Sequence, residues 1–146
     1  MSLRNNLTDL MMRAMSGGHR ALLKLSGGRL LRSIGTMPAV ELHTIGRATG
    51  HHRSTMLTAP VHGEGRYVLV ASKGGGDRNP MWYLNLVANP DVELTVAGAT
   101  TPMRARTATA AEKAELWPKI VAAYRGYADY QRRTTRDIPV VICEPR

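Results

Sequence analysis

The chain has one cysteine, no phenylalanine and 11 acidic residues among its 146, and each shortage closes off a class of function. A single thiol, Cys143, cannot form an internal disulfide, and its place in the apolar run 138–143 marks a buried, inert group rather than a nucleophile. No apolar run approaches the ~20 residues needed to cross a bilayer, and no hydrophobic block precedes a small-residue cleavage site, so a cytoplasmic location is expected. The five histidines lack zinc-motif spacing and there is no Gly-x-Ser-x-Gly elbow, so no metal site is expected. Glu41, Glu64, Asp91 and Glu93 read as surface charges with no general-base role. The scarcity of acids against 20 Lys and Arg leaves a formal net charge of +9. Nucleic acid is nevertheless not expected, because no recognised binding motif and no aromatic RNP-like strand accompany the charge.

What is present is a strand, a cationic glycine loop and a helix start. Residues 66–72 read as a strand, Lys73-Gly74-Gly75-Gly76 follows, and Asn79-Pro80 precedes an apolar helix over 80–88. Glycines let backbone N–H groups approach a ligand, and Asn79 as N-cap with Pro80 as first helical residue would turn the positive dipole end onto the same loop. A plain turn is the competing reading. Upstream, a strand over 40–45 runs into Gly46-Arg47-Ala48-Thr49-Gly50-His51-His52-Arg53-Ser54-Thr55. Arg47 and Arg53 can converge there, and a guanidinium matches phosphate oxygens bidentately. A solvated hairpin with unpaired arginines is the alternative.

The remaining pattern predicts strands over 53–61, 91–97, 101–107 and 138–143, with a turn at Gly98-Ala99-Thr100. Thr109 and Glu112 make a capping box that opens a helix, which Pro118 should kink or restart on its way to Gln131. Tyr124, Tyr127 and Tyr130 recur every third residue, which on a helix places three hydroxyls within one arc. They read either as packing with wet ends or as hydrogen-bond and proton donors to a flat substrate. Residues 1–38 hold six Lys or Arg against Asp9 alone. There Leu7, Leu10, Met11, Ala14 and Met15 fall at helical spacing, and two further apolar stretches follow glycine pairs. This basic amphipathic segment reads as helices packed on the rest of the fold or across a dimer, or as a face resting on an anionic membrane.

Four stretches together resemble the deazaflavin-dependent nitroreductases, actinobacterial oxidoreductases that use coenzyme F420. They are the hairpin from Thr44 to Arg53, Ala71-Ser72-Lys73-Gly74-Gly75, the stretch from Asn79 through Trp82, Tyr83 and Asn85 to Pro90, and the end from Asp137 to Pro145. They lie in order over residues 39–146. The resemblance implies an α+β split β-barrel of about six mostly antiparallel strands with covering helices, often dimeric. It implies that Arg47, Thr49 and Arg53 lie near the cofactor phosphate and that Val70, Ala71, Ser72 and Lys73 lie beside the deazaflavin ring or its side chain. Met56, Thr58, Trp82, Tyr83, Asn85 and Tyr127 would complete the cofactor pocket. Tyr127, Tyr130 and Tyr124 would lid the substrate and serve as catalytic residues. Two positions depart from the family: Ala48 stands where a second cation is usual, and Thr58 where some relatives have an aromatic. The expected function is hydride transfer from reduced coenzyme F420 to a quinone-like, nitroaromatic or nitroimidazole acceptor. The acidic coenzyme accounts for the basic chain. A coenzyme carrier without turnover and an FMN-binding split barrel are the alternatives.

Overall fold

A computed structural model describes residues 33–34 and 37–146; of the amphipathic helical segment expected over 1–38, residues 33–34 and 37–38 are in strands, and the rest, His19 included, lies outside the described residues. Eight strands form one curled antiparallel sheet: β1 (Ser33–Ile34), β2 (Met37–Ile45), β3 (His52–Thr58), β4 (Val61–Gly63), β5 (Arg66–Val70), β6 (Asp91–Val96), β7 (Ala99–Thr107) and β8 (Val140–Pro145). The hydrogen-bonded order is β1-β2-β6-β7-β8-β5-β4, with β3 also paired to β2. Among the described residues three helices cover it: α1 (Met81–Ala88), α2 (Ala110–Ala123) and α3 (Gly126–Arg132). This is the expected α+β split barrel, with eight strands rather than about six.

The sheet has two apolar faces because β5 and β8 alternate between two cores. Leu69, Ala71, Val141 and Cys143 point into the barrel with Val40, Leu42, Leu94 and Met103, which α1 closes through Trp82 and Leu86. Val68, Val70, Val140 and Ile142 point outward, under Leu116 and Ile120 of α2 and Tyr127 of α3. Central strands buried on both faces read as continuous apolar runs, as residues 67–71 and 138–143 do. Burial pushes the Cys143 thiol up to about 12.

Several local expectations are corrected. The strand predicted over 53–61 is two strands, with Ala59 and Pro60 between β3 and β4. The β6–β7 turn is Ala97-Gly98, both at positive φ, rather than a loop over Gly98 to Thr100. The last strand begins at Val140, not 138. Asn79 is not an N-cap: Pro80 holds that position in extended conformation, with no side-chain cap, because the Asn79 amide oxygen accepts from Arg136 at 2.8 Å. Pro118 neither breaks nor restarts its helix. The Thr109–Glu112 capping box forms as expected, and Arg106 grips Glu112 bidentately at 2.7 and 2.9 Å. With Leu116 and Ile120 also buried, α2 runs through Pro118 and stops only at Tyr124.

Candidate active site

The β2–β3 hairpin closes around glycine. Gly50 sits at φ 73°, the Gly46 N–H donates to His51 O at 2.8 Å, and a Cβ at Gly46 would meet the Thr49 hydroxyl at 2.8 Å. Thr49 Oγ1 accepts from the His51 N–H at 3.2 Å, so it stiffens the turn. Arg47 is drawn from the hairpin onto α1: its backbone N–H and Nη1 both donate to Asn85 Oδ1, at 3.2 and 2.9 Å. Asn85 is buried and also reaches Thr44 Oγ1 at 3.5 Å. Ala48 is exposed and adds no donor. Arg53 is the second residue of β3, exposed, with Nε 3.7 Å from where a Gly46 Cβ would stand. Among the described residues neither Arg47 nor Arg53 pairs with a carboxylate. Two uncompensated guanidinia over one glycine turn suit a phosphate or a carboxylate tail.

Five residues along β3 from Arg53, about 17 Å at strand rise, Thr58 meets the tyrosines. Met56, buried, shares its strand face. Thr58 Oγ1 lies 3.2 Å from Tyr127 OH, and Tyr124 OH lies 3.3 Å from Tyr130 OH. The three rings pack edge to face or tilted, with centroids 5.3 to 6.2 Å apart. They do not share one helix. Tyr124 is the extended residue ending α2, and its ring folds over Gly126, where a Cβ would come within 2.4 Å of it. The periodicity thus identified the cluster while misplacing its first member. Burial raises the Tyr127 hydroxyl above an ordinary phenol, with the Thr58 hydrogen bond working the other way. Burial first, and then the Tyr124 hydroxyl, push Tyr130 up to about 12. Tyr127 is 7% exposed, whereas Tyr124 is 44% exposed and forms the outer edge.

Beside the tyrosines lies the glycine loop. Lys73, Gly74 and Gly75 are all left-handed, at φ 48°, 62° and 81°. A Cβ at Gly75 would stand 2.8 Å from Tyr130 O and 2.9 Å from Arg133 Cβ, so α3 rests directly on the loop. Ser72 is buried, Val70 enters the core beneath Tyr127, and Ala71 enters the barrel core. Trp82 is 8% exposed within the barrel core, and its indole N–H has no acceptor among the described residues. Tyr83 is bonded to Thr107 on β7 at 2.8 Å. The residues singled out therefore fall into an arginine group (Arg47, Arg53, Asn85), a tyrosine–loop group (Thr58, Ser72, Lys73, Tyr124, Tyr127, Tyr130), and Trp82 and Tyr83 of α1 packed on the barrel core.

Two arrangements escaped sequence reasoning. Arg136, half-buried, donates to Gly76 O, Ala71 O, Asn79 Oδ1 and Ser72 O at 2.7 to 3.2 Å. Nothing local separates it from Arg132 and Arg133; only its distance of two residues from the apolar start of the last strand hints at burial. His43 and His52, read as isolated, stack with Nδ1 and Nε2 3.0 Å apart, and His43 continues to Thr95 at 2.7 Å.

The donor set fits a long anionic flavin-like coenzyme: at one end two arginines that, among the described residues, meet no carboxylate, and at the other a group of hydroxyls beside a glycine loop. The model of the F420H(2)-dependent quinone reductase family matches residues 16–145. The chain belongs to this family. Family membership makes coenzyme F420 the cofactor. The chain is 41% identical over 133 residues to an F420H(2)-dependent quinone reductase of Mycobacterium tuberculosis (strain ATCC 25618 / H37Rv), covering 88% of each protein. Among solved structures it is similar to an F420-H2-dependent reductase, FDR-A, with TM-score 0.67 and 40% identity over 73% of this chain and 94% of that one. A second solved chain, a domain-swapped dimer, has TM-score 0.68 and 33% identity over 98% of this chain and all of that one. In this quinone reductase family member, no helix among the described residues is long and apolar enough to cross a membrane.

Proposed function

We propose that the tyrosine–loop group is where a quinone, or a nitroaromatic or nitroimidazole of similar flat shape, is reduced, and that Arg47 and Arg53 hold the acidic part of the coenzyme. The observation that carries the reading is the spacing along β3, with arginines at one end and, at the other, a cluster of hydroxyls around buried Tyr127. When bound, coenzyme F420 supplies the hydride from its ring carbon. The acceptor gains that hydride and one proton to become the quinol. Asn85 fixes the Arg47 head before any ligand arrives, which lowers the ordering cost of binding. The backbone from Val70 to Lys73, anchored by Val70 in one core and Ala71 in the other, offers an edge along which the ring can lie, with α3 packed on the adjoining loop.

Burial raises the Tyr127 and Tyr130 hydroxyls, which disfavours their phenolates and suits them to donate hydrogen bonds. Tyr130 and Tyr127 steady the oxygen that gains charge by donating hydrogen bonds, and the exposed edge at Tyr124 admits the proton from solvent. Thr58 is smaller than the aromatic some relatives carry, which leaves room for a bulkier acceptor.

The basic segment 1–38 and the dimeric state belong to the same proposal: six cations against one acid support peripheral contact with an anionic membrane at its inner face, where a lipid-soluble quinone resides. The domain-swapped neighbour supports a homodimer. Mixing the protein with reduced coenzyme F420 and menadione, and following the return of oxidised-cofactor absorbance, tests the reading. Cofactor binding without turnover on any quinone or nitro compound would leave a carrier, and stoichiometric FMN in the purified protein would favour the FMN-binding alternative.

A further inference from the structure

Every backbone carbonyl from Ala71 to Gly74, and that of Gly76, has a donor. The Ala71 oxygen takes Arg136 Nη1 at 3.2 Å, and the Ser72 oxygen takes Arg136 Nη2 at 2.7 Å together with the Gly75 N–H at 2.9 Å. The Lys73 oxygen takes the Gly76 N–H at 3.1 Å, the Gly74 oxygen takes Arg133 Nη1 at 3.4 Å, and the Gly76 oxygen takes Arg136 Nε at 2.8 Å. One planar fork thus holds the loop on entry, at Ala71 and Ser72, and on exit, at Gly76, while Arg133 takes the middle. All these peptides are trans, so each N–H points opposite to the carbonyl of its own unit. The Ala71 carbonyl held on Arg136 therefore turns the Ser72 N–H to the other side of the chain.

That arrangement is not what the backbone would choose alone. Three successive left-handed residues, one of them a lysine, form a conformation that persists only when its surroundings impose it. Gly75 is fixed by α3 from above, and Arg136 is the group that satisfies its carbonyls from the side. Its environment supports a structural commitment to the loop: the guanidinium is desolvated, and its four bonded acceptors are neutral oxygens. An ammonium could not serve all four acceptors, since it has three donors and no fork.

We infer that Arg136 is a positioning residue for the reaction: by clamping the carbonyls of the 71–76 loop it presents the opposing Ser72 backbone N–H to the electron-rich carbonyl edge of the deazaflavin ring. This rests on the reading above, in which the ring lies along Ser72 and Lys73. Through Asn79 the same fork ties the loop to the start of α1, the helix that anchors Arg47, so the two ends of the coenzyme site share one brace.

The test compares Arg136→Ala and Arg136→Lys with the wild-type protein, using reduced coenzyme F420 and menadione well below the melting temperature. The KM for reduced coenzyme F420 should rise about tenfold or more in both variants, while the KM for menadione stays within about twofold. Guanidinium ion at a few tens of millimolar should recover part of the coenzyme KM in Arg136→Ala and leave the wild type unchanged. Equal rises in both KM values with no guanidinium response would make Arg136 a general stabiliser and overturn the inference. So would unchanged KM values in a folded variant, or an Arg136→Ala chain that fails to fold beside an Arg136→Lys enzyme with wild-type kinetics. If the wild-type protein shows no change in coenzyme F420 fluorescence on titration, the functional reading falls and this inference with it; binding by the wild type with indifferent variants sinks this inference alone.

Discussion

The two ends of β3 solve opposite problems. At the hairpin, Arg47 and Arg53 stay in water, and their order comes from glycine geometry and one buried amide, Asn85. At the Thr58 end hydroxyls predominate, graded from buried Ser72 and Tyr127 to exposed Tyr124 and locked by ring packing and helix-on-loop contact. Charge kept in water recognises an anion at long range but is screened by salt. A hydroxyl kept dry is worth more per bond and tolerates little displacement. On the proposed reading, recognition of the coenzyme's acidic part belongs to the first end and rate to the second, and substitutions should separate them.

The largest effect is expected from removing a hydroxyl at the Thr58 end. Tyr127→Phe or Tyr130→Phe should lower turnover by about 10- to 1000-fold with cofactor affinity and melting temperature nearly unchanged. Steady-state kinetics beside a fluorescence titration checks this, and equal turnover in both variants would remove the tyrosines from the chemistry. Gly75→Ala should follow. It puts a Cβ at a left-handed residue against Tyr130 O, costing about 2–4 kcal/mol of stability, measurable by urea denaturation; a wild-type midpoint would show that α3 can lift from the loop.

At the hairpin, Arg53→Ala should weaken coenzyme binding by about 1.5–3 kcal/mol with kcat retained. The loss should shrink in high salt; a fall in kcat at saturating coenzyme would erase the division between the ends. Asn85→Ala, which frees Arg47 without removing it, should weaken binding only about two- to fivefold. The smallest effect is a pH dependence. Tyr130 is raised in the folded protein, so the stability it contributes is complete below pH 10 and lost as pH rises through about 12. Thermal melts of wild type and Tyr130→Phe should run parallel below pH 10, with the wild type losing the larger increment between pH 10 and 12.

Much of this division could be read in the sequence because its elements are local. Arg47 and Arg53 flank glycines, the Thr109–Glu112 box contains its own partners, and the tyrosine spacing survives a change of helix. What escaped lies in distant pairings. Asn79 looks like a cap until Arg136, 57 residues away, claims its oxygen. Pro118 looks like a break until the capping, the Arg106 grip and core packing of α2 prove sufficient. The Arg47–Asn85 contact crosses 38 residues, so the sequence suggested both as site residues but not that one holds the other. Trp82 carried a pocket expectation from its motif, yet α1 turns it into the barrel core.

The sealed position of Cys143 has a consequence for chemical durability. Quinones are electrophiles that arylate thiols, and the attacking species is the thiolate. With its thiol pushed up to about 12, Cys143 is ionised at neutral pH in only about one molecule in 10⁵, and it is 0% exposed inside the barrel. A protein that turns over such compounds thus keeps its single soft nucleophile out of their reach. Incubation with excess benzoquinone should leave the folded protein's mass unchanged at that cysteine, while the urea-unfolded chain takes up one equivalent there.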